Sequence, residues 1–297
     1  MSTVSIVMVN FNGYEHTRNA LHSIAQSVPS CEVIVIDNHS DGNDVQRLRE
    51  EFPHFIFDSL ESNKGFGFAN NVGARKASGD YLLFLNNDTL LTSDAPAMLG
   101  LFLNEHNDVA AIGPKLLNPD GTIQMSFGFD PSIGSEWRMK RLQRLSKENP
   151  SLFQRRLEPF LARPSTVDWL TGAALMVRRP VFDEAGGFDE SFFMYFEDAD
   201  ICRRIRAKGW SVVYDPTCSI THIGGASVSS VRQTIRVEYR KSQLRYYAKH
   251  GSLVSQFLLR LYLLGVFGTR RIFSFMQSSH EGRAFTEIIQ LALKPIR

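Results

Sequence analysis

Through its first half the chain alternates short apolar runs with amphipathic stretches, the pattern of βαβ units feeding a parallel sheet. Val4 to Val9 reads as a first strand, followed by a helix over about Glu15 to Gln26. Val33 to Ile36 reads as a second strand, Phe55 to Phe57 as a weaker third and Tyr81 to Leu85 as a fourth. The fourth is continuously apolar, as a strand buried on both faces must be. Each run ends in a polar cluster: Asn10-Phe11-Asn12, Asp37-Asn38, Asn63-Lys64-Gly65 and Asn86-Asn87-Asp88. Open α/β sheets bind ligands outside the carboxyl ends of their strands. These clusters are therefore expected to converge on one crevice.

The pattern changes beyond residue 114. Pro119-Asp120-Gly121 marks a turn, and residues 136–163 are helix-prone with eight basic side chains against three acidic, which predicts a surface insertion. The apolar run Leu170 to Val177 precedes a Gly-rich acidic segment, residues 186–200. Ala199 to Lys208 then reads as helix and Ser211 to Tyr214 as strand. From Arg232 onward the chain reads as helix. This divides it into an α/β domain over 1–231, made of a first half (1–113) and a second (114–231), and a helical tail over 232–297.

Composition adds a charge asymmetry. The net charge is only +2, but residues 232–297 carry 12 basic side chains against 3 acidic ones. Arg232, Arg236 and Arg240 recur every four residues, extended by Lys241, Arg245 and Lys249. Val254, Phe257, Leu258, Leu261 and Leu264 follow with the spacing of an apolar helix face. Two readings stand side by side: an interfacial helix pair on an anionic membrane surface, or packing on the α/β domain or in a homodimer. Arg260 and Arg270-Arg271 leave nine uncharged residues between them, short of the roughly 20 a spanning helix needs. No basic leader precedes the first apolar run, and three cysteines without CxxC spacing fit a reducing compartment. The expected location is cytoplasmic, with peripheral attachment to the inner face of the membrane as the tail's membrane reading. Nothing points to nucleic acid as a partner.

Four segments carry candidate chemistry. VIVIDNHSDG, residues 33–42, delivers Asp37 at a strand end, where it can accept hydrogen bonds from a nucleobase or ribose; Asn38, Ser40 and Asp41 fit a turn or cap. A dinucleotide-binding fold needs GxGxxG after the first strand, and VNFNG stands there instead, which argues against a dehydrogenase. NKGFGFANNVG, residues 63–73, is a Gly-rich loop opening a helix, with Lys64 as an added charge for phosphate. LLFLNNDTL ends a strand on Asp88, either a helix cap or a ligand for Mg²⁺ or Mn²⁺. GGFDESFFMYFEDADICRRIRAKGW, residues 186–210, sets Glu190, Glu197, Asp198 and Asp200 among aromatic residues. Carboxylates there are partly desolvated, which raises their pKa toward that of a general base. Asp200 is expected to pair with Arg203 or Arg204. His222, in THIGG, is by itself more often structural than a ligand.

In this order VNFNG, VIDNHSDG, NKGFGFANN, LNND, TGAALMVRR and GGFDESFFMYFEDAD resemble the inverting family-2 glycosyltransferases, and among them the bacterial rhamnosyltransferase-like branch. The resemblance covers roughly residues 3–225. It implies an α/β GT-A nucleotide-diphospho-sugar transferase fold with a parallel-rich central sheet, followed here by the helical extension. It places Asn10 and Asp37 at the nucleoside, with Asn12, Asn63, Lys64, Gly65, Asn86, Asn87 and Asp88 around the nucleotide sugar. Asp88 matches the last acid of a DxD-type metal motif, and His222 a position that completes the metal site in several members. Because the motif reads Asn86-Asn87-Asp88, the first acid is absent and the site less negative. Asp198 falls on the general base, Glu197 on an acceptor-binding neighbour, and Thr171, Gly172 and Ala173 on the acceptor side.

The implied reaction moves a sugar from a nucleotide-diphosphate donor, dTDP-rhamnose being favoured, to a hydroxyl of a cell-surface glycan or its lipid-linked precursor, with a divalent metal. Two other classes compete. A nucleotidyltransferase would carry a basic Gly-rich loop after its first strand, which VNFNGYEH lacks. A non-catalytic sugar-binding module would bind ligand without needing Asp198.

Overall fold

A computed structural model of the chain describes residues 3–224, 232–274 and 280–294. Its first part runs β1 (Val4–Asn10), α1 (Tyr14–Ser27), β2 (Glu32–Asp37), α2 (Asp44–Glu51), β3 (Ile56–Ser59), α3 (Phe66–Lys76) and β4 (Tyr81–Asn86). There follow β5 (Thr89–Leu91), α4 (Ala95–Glu105), β6 (Val109–Leu117), β7 (Ile123–Gln124), β8 (Phe127–Gly128), α5 (Ile133–Glu148) and α6 (Pro150–Leu161). The α/β part ends with β9 (Ser165–Thr166), β10 (Trp169–Leu170), β11 (Ala174–Arg178), α7 (Arg179–Glu184), α8 (Glu197–Ala207) and β12 (Ser211–His222). Three helices close the chain, α9 (Arg232–His250), α10 (Leu253–Ser274) and α11 (His280–Leu293).

The main sheet has the order β3-β2-β1-β4-β11-β6-β12-β5, and β8 and β10 form a separate pair. Strands β1 to β4 are mutually parallel, as the alternating pattern predicts, and β12 is parallel to β6. β11 runs antiparallel to both β4 and β6. Register brings the expected carboxyl ends together, with Asn10 beside Asp37 and Val9 beside Asn86.

Alternation along each strand sorts the core into two layers. Ile6, Met8, Leu83 and Leu85 face one side with Leu21 and Ile24 of α1 and Leu99 of α4. Val7, Leu82 and Phe84 face the other with Ala69 of α3, Phe182 of α7 and Ile201 of α8. α3 lies close on that second face because Gly73 has no Cβ, which would stand 2.4 Å from Val7 Cγ1.

Several elements depart from the sequence pattern. β12 continues past Tyr214, where the apolar pattern in the sequence ends, to His222 through an irregularity between Asp215 and Ser219. The helix-prone segment becomes two helices, broken where Asn149 caps α6 ahead of Pro150. The tail helices build a third apolar cluster, in which Val237, Tyr246, Leu263, Phe267 and Phe285 enclose Phe192 and Phe196 of the segment before α8. Val231 and Phe275 lie outside the described residues.

Candidate active site

The carboxyl ends of β1, β2 and β4 open on a cleft of about 710 Å³. Eleven expected site residues line it: Asn63, Gly65, Asn86, Asn87, Asp88, Thr171, Gly172, Ala173, Glu197, Asp198 and His222. Asn10, Asn12, Asp37 and Lys64 are not among its lining residues. Asn10 and Asp37 are buried. Asn10 Nδ2 donates to Asp37 Oδ1 at 2.8 Å, and Thr17 Oγ1 donates to Asn10 Oδ1 at 2.7 Å. Ser40 completes the turn that the sequence indicates, donating from its backbone N and its Oγ to the two oxygens of Asp37. Asn12 is exposed and pairs with Asp41.

Asn38, read in the sequence as a turn residue, lines the cleft. Its Oδ1 accepts from the backbone N of Lys64 and its Nδ2 donates to Asn63 Oδ1, which also accepts from the backbone N of Gly65. This amide chain ties the end of β2 to the Gly-rich loop. Gly65 has φ of 91°, and a Cβ there would meet the Phe193 carbonyl oxygen at 2.3 Å. The glycine is thus required by another strand of backbone, and Phe66 N donates to that same carbonyl at 2.9 Å. The side chain of Lys64 stands at the surface.

Asp88 and His222 meet because β5 pairs antiparallel with the end of β12, setting His222 opposite Thr89. His222 Nε2 lies 3.1 Å from Asp88 Oδ1. Gln124 fixes the ring from behind. Its Nε2 donates to Asn118 Oδ1, so its Oε1 faces His222 Nδ1 and that nitrogen carries a hydrogen. Nε2 then faces a carboxylate either as an N–H or as a lone pair with a cation between them. Burial works against ionising Asp88, yet the hydrogen bond and charge of His222 outweigh it and hold the carboxyl below its usual range. The Asn86 amide lies 3.3 Å from Nε2. One carboxylate oxygen and one imidazole nitrogen fit Mn²⁺ or Mg²⁺ when diphosphate oxygens and water complete the shell. Among the described residues no group of three or more His, Cys, Asp or Glu is placed to hold a metal. An all-protein cage is therefore not formed by them.

The acidic pair opens α8. Tyr195 and Phe196 both have φ of 68°, a conformation rare for bulky residues, and the reversal puts Glu197 and Asp198 in the first turn of the helix. Asp198 is half-buried. Its Oδ2 accepts from Gly172 N at 3.1 Å and its Oδ1 from Ala199 N at 2.7 Å. Burial raises its pKa, opposed by these backbone donors. Glu197 is pushed well above the ordinary carboxylate range, first by burial and then by the charge of Asp198, and its Oε2 has no protein partner. The donors sit on Asp198, so a proton shared by the pair resides on Glu197 and Asp198 stays ionised.

Asp200 is fully buried and turns away from this chemistry. It accepts from Arg204 Nε, the sequence-expected partner, and from Lys249 Nζ and His250 Nε2 of α9, all at 2.7 Å. The far wall of the cleft was not foreseen from sequence: Glu136, Met139, Lys140 and Gln143 of α5 and Tyr239 of α9 line it. Gln243 Nε2 and Tyr247 Oη of α9 donate to the Glu136 carboxylate. Their separation along the chain exceeds 100 residues, so no local pattern announces them.

Comparison with known proteins agrees with this geometry. The profile of "Glycosyl transferase family 2" matches residues 5–184. The N-acetylglucosaminyl-diphospho-decaprenol L-rhamnosyltransferase of Mycobacterium tuberculosis (H37Rv) is 29% identical over 235 residues, covering 73% of this chain and 75% of that protein. Rhamnosyltransferase WbbL of Escherichia coli K12 is 24% identical over 269 residues, 83% of this chain and 93% of its own. Among solved structures, mannosyltransferase PcManGT from Pyrobaculum calidifontis in complex with GDP-Man and Mn²⁺ has a TM-score of 0.59 at 15% identity, covering 99% of this chain and 81% of that one. GalNAc-T7 with UDP, GalNAc and Mn²⁺ has a TM-score of 0.60 at 18% identity over 83% of this chain, which spans 48% of that structure's length. With the family profile covering more than half of its length and the fold shared with these structures, the chain belongs to glycosyl transferase family 2 and has the GT-A fold.

Proposed function

We propose that the cleft transfers a hexose, with inversion, from a nucleoside-diphosphate donor to a hydroxyl of a glycan or its lipid-linked precursor. Rhamnose is the favoured sugar, on the strength of the two rhamnosyltransferase relatives, and dTDP is the carrier that the family resemblance implies. In this reading residues 1–113 hold the nucleotide, residues 114–231 hold the acceptor, and the enzyme works on the cytoplasmic side of a membrane. The observation that carries it is the placement of a desolvated, hydrogen-bonded Asp198 in the same cleft as the Asp88–His222 pair.

Asp198 takes the proton from the acceptor hydroxyl as that oxygen attacks the anomeric carbon, and one direct displacement inverts the centre. The Gly172 and Ala199 N–H groups hold the Asp198 carboxylate in place, so its position is set before the acceptor arrives. Glu197, protonated, offers a hydrogen-bond donor to the acceptor. Asp88 and His222 would hold a divalent cation, which when bound neutralises charge on the departing diphosphate. Asn38, Asn63 and Gly65 shape the donor side, with Asn10 and Asp37 assigned to the nucleoside.

A thermal-shift screen against nucleotide sugars, with and without Mn²⁺, tests the reading. A deoxythymidine-diphosphate sugar should raise Tm, and more so with Mn²⁺. A protein whose Tm responds to none of the nucleotide sugars would refute it.

A further inference from the structure

Helix α10 buries only one of its faces. Leu259, Leu263 and Phe267 join the tail's apolar cluster, whereas Leu253, Val254, Phe257, Leu258, Leu261 and Tyr262 are between 41% and 71% exposed. Four of these, at positions 254, 257, 258 and 261, follow the i, i+3, i+4, i+7 spacing of a single helix face. So large a contiguous apolar surface marks an interaction site rather than scattered exposure.

Helix α5 extends this surface with opposite chemistry. Trp137, Lys140, Arg141 and Arg144 share one face by the same spacing, and all four are exposed. Lys140 Nζ lies 5.6 Å from the centroid of the Tyr262 ring, so the two helices meet at this edge. α10 itself contains Arg260, Arg270 and Arg271 and no acidic residue. The stripe expected from the sequence behaves differently. Lys241 binds Glu238 and Glu287, Lys249 binds Asp189 and Asp200, and the Arg240 guanidinium lies over the rings of Tyr239 and Phe267. The side chain of Arg232 lies outside the described residues.

We infer that the joint face of α5 and α10 seats on an anionic lipid surface, with α10 lying in the plane of the interface. Aliphatic and aromatic side chains enter the acyl boundary while Arg141 and Arg144 meet the headgroups, the division of labour of an interfacial amphipathic helix. Among the described residues no helix is long and apolar enough to cross a membrane. A second copy of the chain fits the face less well, because a two-fold contact would bring the α5 basic side chains of both copies together. α5 also borders the cleft through Glu136 and Met139, so seating this face would hold the acceptor side of the cleft at the lipid surface. The inference thereby rests on, and deepens, the proposal of a lipid-linked acceptor.

Sedimentation of the full chain with phosphatidylglycerol–phosphatidylcholine vesicles tests it, beside pure phosphatidylcholine and over a range of salt. Binding should require the anionic lipid and weaken with salt. Phe257→Glu with Leu261→Glu, and separately Arg141→Glu with Arg144→Glu, should each reduce it at least tenfold, while the Tm shift with nucleotide sugar is retained. Failure of the wild-type chain to bind anionic vesicles at low salt would overturn the inference, as would variants that bind like wild type. So would a wild-type dimer in analytical ultracentrifugation that the apolar variant dissociates, since the face would then be a protein interface. Loss of the glycosyltransferase reading would appear instead as absent nucleotide-sugar binding with vesicle binding intact.

Discussion

In the proposed mechanism Asp198 and Glu197, neighbours in the chain, have opposite protonation requirements, and their surroundings separate them. For Asp198 the raised pKa means that acidification removes the base at a higher pH than for an ordinary aspartate. The kcat profile should therefore fall on its acid limb with a midpoint above the usual aspartate range. A midpoint at or below that range would remove the desolvated base from the account. For Glu197 the folded pKa lies above the unfolded one, so the fold favours the protonated acid. That stability is full below the unfolded pKa and is lost as pH rises through the folded one. Glu197→Gln should consequently flatten the dependence of Tm on pH and raise Tm at alkaline pH relative to wild type. Gln124 holds the His222 ring, and so would act one step from the proposed metal site. Gln124→Leu should weaken Mn²⁺ by about 10- to 100-fold, read from the Mn²⁺ dependence of the nucleotide-sugar Tm shift. Local motifs pointed to Asp88 and the acidic segment around Asp198, and the family resemblance to His222, but Asn38 and Gln124 are ordinary polar residues whose partners lie distant in the chain.

At the scale of elements, the parallel strands and their polar ends were readable because apolar runs and their terminators are local. The end of β12 was not, since Asp215-Pro216-Thr217 breaks the apolar pattern before the segment that carries His222 to β5. α8 shows both cases. The Asp200–Arg204 pair follows helix spacing, whereas Lys249 and His250 arrive from α9. Asp200→Asn should destabilise the protein in urea unfolding. Arg204 and Lys249 would lose a fully buried counter-charge and His250, whose pKa burial pushes down, a hydrogen-bond acceptor; because the two cations are themselves part-exposed the loss should fall toward the lower end of about 3–5 kcal/mol. A change under about 1 kcal/mol would show that α9 docks through its apolar side chains alone.

Taken whole, the molecule joins its tail to its cleft. Composition marked residues 232–297 as electrostatically distinct, but charge counts carry no information on packing. α9 covers Phe192 and Phe196 and supplies Tyr239 to the cleft wall. A chain truncated before Arg232 should therefore expose these aromatic residues and bind 8-anilinonaphthalene-1-sulfonate strongly; native-like Tm and no dye binding would show that the tail is dispensable to the core.

The account as a whole depends on sugar transfer with Asp198 as the base. Its most direct test measures acceptor-dependent release of nucleoside diphosphate and donor affinity side by side, for wild type and Asp198→Asn. A positioned general base contributes about 10²- to 10⁴-fold, so kcat should fall by at least about a hundredfold while donor affinity changes little. An Asp198→Asn enzyme that turns over at a rate comparable to wild type would contradict the assignment.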